Sequence, residues 1–241
     1  MQHQELYMST YAVILAGGSG TRTGLAQPKQ FALIGNRPLI CRTIERFQSH
    51  PLIDTILIAC HSDYIPHLTE LLSQYGYSKC VSVMQGGSTR QQSAWKVLTG
   101  WPFKNDDIVL IHDAARPFVT EKSIDAVICA AKKYGAADLC TPTTDTIIQT
   151  DGNGSITGIP DRKKLMNVQT PQGFLYETIY RAHNEAIKRN DTDASDDIGL
   201  VLKCGYSPVI VEGSPDNFKV TTKRDLFIAE ALIREGWDGN Q

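Results

Sequence analysis

What the chain has little of narrows its possibilities first. Six cysteines, Cys41, Cys60, Cys80, Cys129, Cys140 and Cys204, are scattered and mostly lie inside apolar runs, with no C-x-x-C pair and no histidine at zinc spacing. That pattern argues against a structural zinc site or a disulfide framework, and the six are expected to be reduced core residues. No apolar run approaches the roughly 18 residues of a membrane span. The first eight residues, MQHQELYM, are polar where a signal peptide would be apolar, so a cytoplasmic protein is expected, with Met8 as an alternative start to Met1. Charge of one sign is also scarce. A formal net charge of -2, without long like-charge runs, gives no global field to gather nucleic acid or an anionic membrane. Any bound anion must therefore be held by local cations.

What is present suits one folded domain, expected over residues 9–237, because 241 residues with 41% hydrophobic and 21% charged content can bury a large core. Short apolar runs recur at residues 11–16, 54–59, 80–84, 107–113, 137–142 and 207–212. They read as buried strands. Segments of helical period lie between them, at 38–48, 62–75, 89–99, 121–134, 174–189, 196–204 and 222–234. The alternation predicts an α/β, Rossmann-like fold with a mainly parallel sheet and helices on both faces. Such sheets bind ligands at the carboxyl ends of their strands. Residues 141–174 break the alternation with two β-rich stretches around DGNG, a hairpin turn signal. They predict a protruding β-arm, placed at 143–172. Because an isolated hairpin is only marginally stable, the arm is expected to pack on a second subunit.

The stretch AVILAGGSGTRTGLAQPKQF sets a buried strand against a glycine-rich loop carrying Arg22, with Lys29 following. It satisfies neither the dinucleotide pattern, since Thr23 stands where the third glycine belongs, nor the P-loop pattern. Its glycines still let main-chain N–H groups approach a polyphosphate, with the two cations supplying charge. Elsewhere, IVLIHDAARPF ends a strand in Asp113 and Arg116, where the ligand crevice of a parallel sheet lies. His112, inside that apolar run, reads as a core residue rather than an acid or base. MQGGSTRQQSAW opens a helix through Ser88 and Thr89, and VEGSPDNFKVTT carries Lys219 after the last strand. The aspartates Asp191, Asp193, Asp196 and Asp197 miss the calcium-loop pattern and read as a solvated helix start.

Taken in order, LAGGSGTR, PKQF, GGSTRQQS, HDAARPF, DTI, TPQGF, SDD and EGSPDNFKVTT make the chain resemble the 2-C-methyl-D-erythritol 4-phosphate cytidylyltransferases from about Tyr11 to Ile233. The ribitol-5-phosphate cytidylyltransferases share most of these motifs. The resemblance implies a nucleotide-diphospho-sugar transferase-like fold and the transfer of CMP from CTP to a polyol phosphate, with magnesium accompanying the CTP phosphates. It implies that Ala16, Gly17, Gly18, Gly20, Gly87, Ser88 and Ser93 surround the nucleotide, and that Arg22, Lys29 and Lys219 surround the phosphates as the catalytic cations. Asp113, Arg116, Thr146, Arg162, Thr170 and Ser195 would form the acceptor site, with Arg162 and the arm reaching in from the other subunit of a homodimer. Protein ligands to the metal stay unassigned. Thr23, Thr89 and Ser195 stand where the family commonly has methionine, an acid and threonine. Two other classes stay open: a dehydrogenase, against which the glycine pattern speaks, and a non-catalytic module that binds a nucleotide.

Overall fold

Strand β1 (Thr10–Ala16) is built from small and β-branched residues that a strand buried on both faces requires, and it occupies the middle of the protein. Residues 8–18 and 28–237 are described by the computed structural model. After β1 the chain runs through the short hairpin β2 (Leu33–Ile34) and β3 (Arg37–Pro38), α1 (Leu39–Gln48), β4 (Thr55–Cys60), α2 (Ile65–Tyr75), β5 (Cys80–Gln85) and α3 (Arg90–Gly100). Next come β6 (Ile108–Asp113), α4 (Glu121–Tyr134), β7 (Ala136–Pro142), β8 (Gln149–Thr150) and β9 (Ile156–Gly158). The last elements are β10 (Met166–Leu175), α5 (Tyr176–Lys188), α6 (Ile198–Lys203), β11 (Val209–Glu212) and α7 (Lys223–Arg234).

Seven strands form one sheet in the order β11-β7-β10-β6-β1-β4-β5. The β1, β4, β5 and β6 pairings are parallel, as is β11 on β7, whereas β10 runs antiparallel between β6 and β7. Side chains alternate across the strands, so two apolar layers result. Ala12, Ile14, Ile56 and Ile58 pack with Ile44 and Phe47 of α1, Leu68 of α2 and Val127 of α4. Val13, Leu15, Leu57 and Ala59 pack instead with Ala94 and Val97 of α3, Ile179 of α5 and Val201 of α6. Each fully buried aliphatic side chain contributes about 1.5–3 kcal/mol. The expected layering is thus observed, with helices on both faces.

Three expectations need correction. The segment taken as an arm over 143–172 includes the start of β10, which belongs to the central sheet, while β8 and β9 pair only with each other. Pro171 and the polar residues around it disguise β10 as loop. The ladder accommodates them with a register shift between Val168 and Gln172, the kind of irregularity at which proline is tolerated inside a sheet. Second, Cys129 is exposed on α4, unlike Cys41, Cys60 and Cys140, which are buried. Third, Asp197 is completely buried rather than solvated.

Candidate functional site

Neighbouring connections diverge on either side of β1: the chain passes from β1 to β4 and β5 on one side, then returns to β6 on the other. A crevice opens at such a reversal, beyond the carboxyl ends of the strands. There the structure has a cavity of about 720 Å³. Ala16, Gly17 and Gly18 after β1, His61 and Ser62 after β4, Gly87 to Arg90 after β5 and Asp113 to Ala115 after β6 line it, together with Lys29, Gln30, Ser93, Lys219 and Thr221.

Backbone hydrogen bonds hold these loops in place. Ala114 N–H donates to the Leu15 carbonyl at 3.0 Å, Gly86 N–H to Cys60 at 2.7 Å and Val220 N–H to Ala115 at 2.9 Å. The last brings the segment carrying Lys219 to the end of β6. Buried Gln30 donates its amide to the carbonyls of Ala16 at 3.0 Å and Gly18 at 3.2 Å, so the residue beside Lys29 braces the start of the glycine loop. Lys29 Nζ in turn donates to the Val220 carbonyl at 3.0 Å. Lys29 and Lys219 therefore share one cavity wall although they stand far apart in sequence.

On the opposite wall, Thr89 caps α3 by accepting from Gln92 N–H at 3.1 Å. Ser93 Oγ accepts from Gly87 N–H at 3.0 Å and donates to the Thr89 carbonyl at 2.9 Å. Ser88 Oγ donates to Gln92 Oε1 at 2.8 Å. The closeness of this turn demands glycine: a Cβ on Gly87 would lie 2.3 Å from Gln92 Cβ, and one on Gly17 would lie 3.3 Å from Ser93 Oγ.

Asp113 forms the floor. Its carboxylate accepts from Lys219 Nζ at 2.7 Å, with Arg90 Nε at 3.5 Å and Arg116 Nε at 3.7 Å. Burial alone would raise its pKa, but Arg90, Lys219 and Arg116 outweigh that cost and hold it far below the ordinary carboxylate range. Behind it, Arg116 donates to the Asn217 carbonyl at 2.7 Å, and buried Asn217 donates to the Thr170 carbonyl at 2.8 Å. Thr170 Oγ1 accepts from Asp113 N–H at 3.1 Å and lies 3.0 Å from His112 Nδ1. His112 Nε2 faces the Arg116 carbonyl at 3.0 Å. A carbonyl only accepts, so Nε2 carries the proton and Nδ1 accepts from the Thr170 hydroxyl, which satisfies the ring, whereas the buried Arg116 Nε and Asn217 Oδ1 have no hydrogen-bond partner among the described residues. Burial pushes the imidazole down to about 4, keeping it neutral as a core histidine.

The residues expected at the site thus divide. Ala16, Gly17, Gly18, Lys29, Gly87, Ser88, Ser93, Asp113 and Lys219 line the cavity. Arg116 and Thr170 support Asp113 from behind. Thr146 and Arg162 are exposed on the segment around β8 and β9, and Ser195 is exposed before α6, so the single chain does not bring these three to the cavity lining. Gly20 and Arg22 lie outside the described residues. Sequence reasoning missed Arg90, which lines the cavity and pairs with both Asp113 and Asp197. Buried Asp197 also accepts from His183 Nε2 at 2.8 Å, and it is held at about 2 because Arg90 and His183 outweigh the effect of burial. Its signal was the SDD stretch, whose last acid begins a helix of apolar residues.

Comparison with known proteins agrees with this geometry. Residues 10–235 match the family described as IspD: 2-C-methyl-D-erythritol 4-phosphate cytidylyltransferase. The chain is similar to the 2-C-methyl-D-erythritol 4-phosphate cytidylyltransferase of Clostridium acetobutylicum, with 40% identity over 93% of this chain and 97% of the relative. It is also similar to the ribitol-5-phosphate cytidylyltransferase of Lactiplantibacillus plantarum, with 34% identity over 93% of this chain and 98% of the relative. Among solved structures, the 4-diphosphocytidyl-2C-methyl-D-erythritol synthase of Anaerococcus prevotii superposes with a TM-score of 0.82 at 25% identity, covering 94% of this chain and 99% of that one. The chain therefore belongs to the 2-C-methyl-D-erythritol 4-phosphate cytidylyltransferase family.

Proposed function

We propose that the protein transfers CMP from CTP to 2-C-methyl-D-erythritol 4-phosphate, releasing pyrophosphate in a step of isoprenoid precursor synthesis. The observation that carries this reading is the convergence of Lys29 and Lys219 on a glycine-lined cavity floored by one carboxylate. An oxygen of the acceptor phosphate forms a bond to the α-phosphorus of CTP as the bond to the bridging oxygen breaks in line, with no covalent enzyme intermediate. A phosphate monoester is already a nucleophile near neutral pH, so no histidine base is needed, consistent with the buried, hydrogen-bonded His112. The protein's task is positioning and charge stabilisation. The backbone of the loop after β1, with Gly87, Ser88 and Ser93, holds the nucleotide. Lys29, Lys219 and Arg22 stabilise charge on the α-phosphate and the departing pyrophosphate. Asp113, with Arg116, Thr170 and Ser195, serves the acceptor, completed by Thr146 and Arg162 of a second subunit.

Magnesium fits this arrangement as an ion carried with the triphosphate. Among the described residues no group of three His, Cys, Asp or Glu side chains could hold a metal, and Asp113 is the one acid lining the cavity. Magnesium commonly takes few carboxylates beside substrate phosphates, and the Asp113 carboxylate is already engaged by Lys219, so the ion would be held chiefly by the phosphates themselves. When bound, it would neutralise phosphate charge. No helix among the described residues is long and apolar enough to cross a membrane, and the cytoplasm, which supplies CTP, is our proposed location.

The test is pyrophosphate release with CTP and magnesium against a panel of polyol phosphates. Methylerythritol phosphate is expected to be the best acceptor. Preference for ribitol phosphate would move the assignment to the related activity, and CTP binding without release would make the protein a nucleotide-binding module. In the same assay Lys29→Ala is expected to lower kcat by about 100- to 1,000-fold, as loss of a transition-state donor does, with the fold intact. Normal turnover would remove Lys29 from the chemistry.

A further inference from the structure

The first turn of α3 is tied to a distant loop by three consecutive residues. Thr89 Oγ1 donates to the Thr192 carbonyl at 3.1 Å, Arg90 pairs with Asp197, and buried Gln91 makes two bonds through one amide. Gln91 Nε2 donates to the Asp191 carbonyl at 2.6 Å, while Gln91 Oε1 accepts from Ala194 N–H at 2.7 Å. Both partners are main-chain groups, so the amide clamps the path of the backbone and not a side chain that could swing elsewhere. Thr89 and Arg90 line the cavity, but Gln91 does not. The clamped stretch ends one residue before Ser195, an exposed hydroxyl on an otherwise irregular segment between α5 and α6. Such segments open locally at little free-energy cost unless tied down.

We propose that Gln91 is a positioning residue for the acceptor side of the site: its side-chain amide fixes the backbone of residues 191–194 against the nucleotide-side turn, and so sets where Ser195 stands. The proposal rests on the assignment of Ser195 to the acceptor made above. The loop after β5 serves the nucleotide, so the same turn links the two halves of the reaction. Loss of the amide strands a carbonyl and an N–H, and the loop samples other paths. The nucleotide turn keeps its own bonds, Gly87 to Ser93 and Thr89 to Gln92.

Steady-state kinetics on Gln91→Leu separates this role from a merely structural one. The KM for methylerythritol phosphate is expected to rise by about tenfold, the factor that one or two lost hydrogen bonds produce, with the KM for CTP within about twofold of the parent. Gln91→Glu keeps an acceptor for Ala194 N–H but sets a second acceptor against the Asp191 carbonyl, so it is expected to recover little of the loss. In hydrogen exchange, the Ala194 amide should be protected in the parent and exchange about tenfold faster in Gln91→Leu. Equal rises in both KM values, no change in either, or an unprotected Ala194 amide in the parent would overturn the proposal. A parent protein that releases no pyrophosphate would overturn the functional reading instead, and the exchange ratios would then decide the positioning role by themselves.

Discussion

At the scale of single residues, two buried titrating groups pull the pH dependence of stability in opposite directions. His112 has its pKa lowered from 6.5 to about 4 by burial. The unfolded chain binds a proton that the folded state refuses, so stability is lost as pH falls from about 6.5 to about 4. Asp138 has its pKa raised from 3.8 to about 6 by burial, although the amide of Gln172 donates to it at 3.1 Å and opposes that rise. Its contribution is complete below about 3.8 and is lost as pH rises through about 6. The windows overlap between pH 4 and 6, where each slope approaches 1.4 kcal/mol per pH unit and the two offset one another. Melting temperatures from pH 7.5 to 4.5 should therefore separate the variants. Relative to the parent, His112→Gln should gain stability on acidification and Asp138→Asn should lose it. Parallel curves for parent and variants would show that neither group titrates in this range.

At the scale of elements, the site depends on how closely α3 approaches the loop before it. Gly87 is the tightest point: a Cβ there would meet not only Gln92 Cβ but also its backbone carbonyl carbon at 2.8 Å. Backbone cannot give way as a flexible side chain can, so the first turn of α3 must shift. Gly87→Ala is expected to cost about 1–3 kcal/mol of stability, the usual range for overpacking. It should also raise the KM for CTP by about tenfold, because the bond from Gly87 N–H to Ser93 Oγ shares that turn. A variant with unchanged melting and unchanged CTP kinetics would mean that the turn relaxes freely and does not shape the nucleotide side.

At the scale of the whole molecule, the region around β8 and β9 leaves apolar surface in water. Ile156 is 63% and Ile159 67% exposed, with Ile147 and Ile148 also exposed on the segment before them. The pairing of β8 with β9 spans only a few residues, too little to stand alone. Clustered exposed aliphatics on a weak hairpin are characteristic of an interface. In the proposed homodimer this region packs on the second subunit and carries Thr146 and Arg162 to its acceptor site. Sedimentation velocity at micromolar concentration should then give a dimer, and the double variant Ile156→Glu/Ile159→Glu should sediment as a monomer with reduced turnover. A parent protein that is fully active as a monomer would refute both the interface and the shared site.

The alternation of short apolar runs with helical periods was enough to place β1, β4, β5, β6, β7 and β11 and the seven described α-helices within about three residues. Periodicity is local, and these elements each bury one stripe or two faces in a way their own residues announce. The glycine turns and Asp113 were legible for the same reason, since they stand at the ends of such runs, whereas the role of Lys219 was implied by the family resemblance alone. Strand β10 was not, because its buried residues Gln169, Thr170 and Gln172 are polar and only partners from other segments make that burial tolerable. Asp197, Arg90 and Gln91 were hidden likewise: an acid in a run of acids looks solvated until an arginine far away in sequence lies against it. Short-range pattern by itself determined every strand of the central sheet but β10 and the seven described α-helices, and the ordered motifs implied the chemistry at their ends. Only tertiary structure decided which polar groups are buried, because the free energy of a buried charge or amide is set by partners that proximity along the chain does not supply.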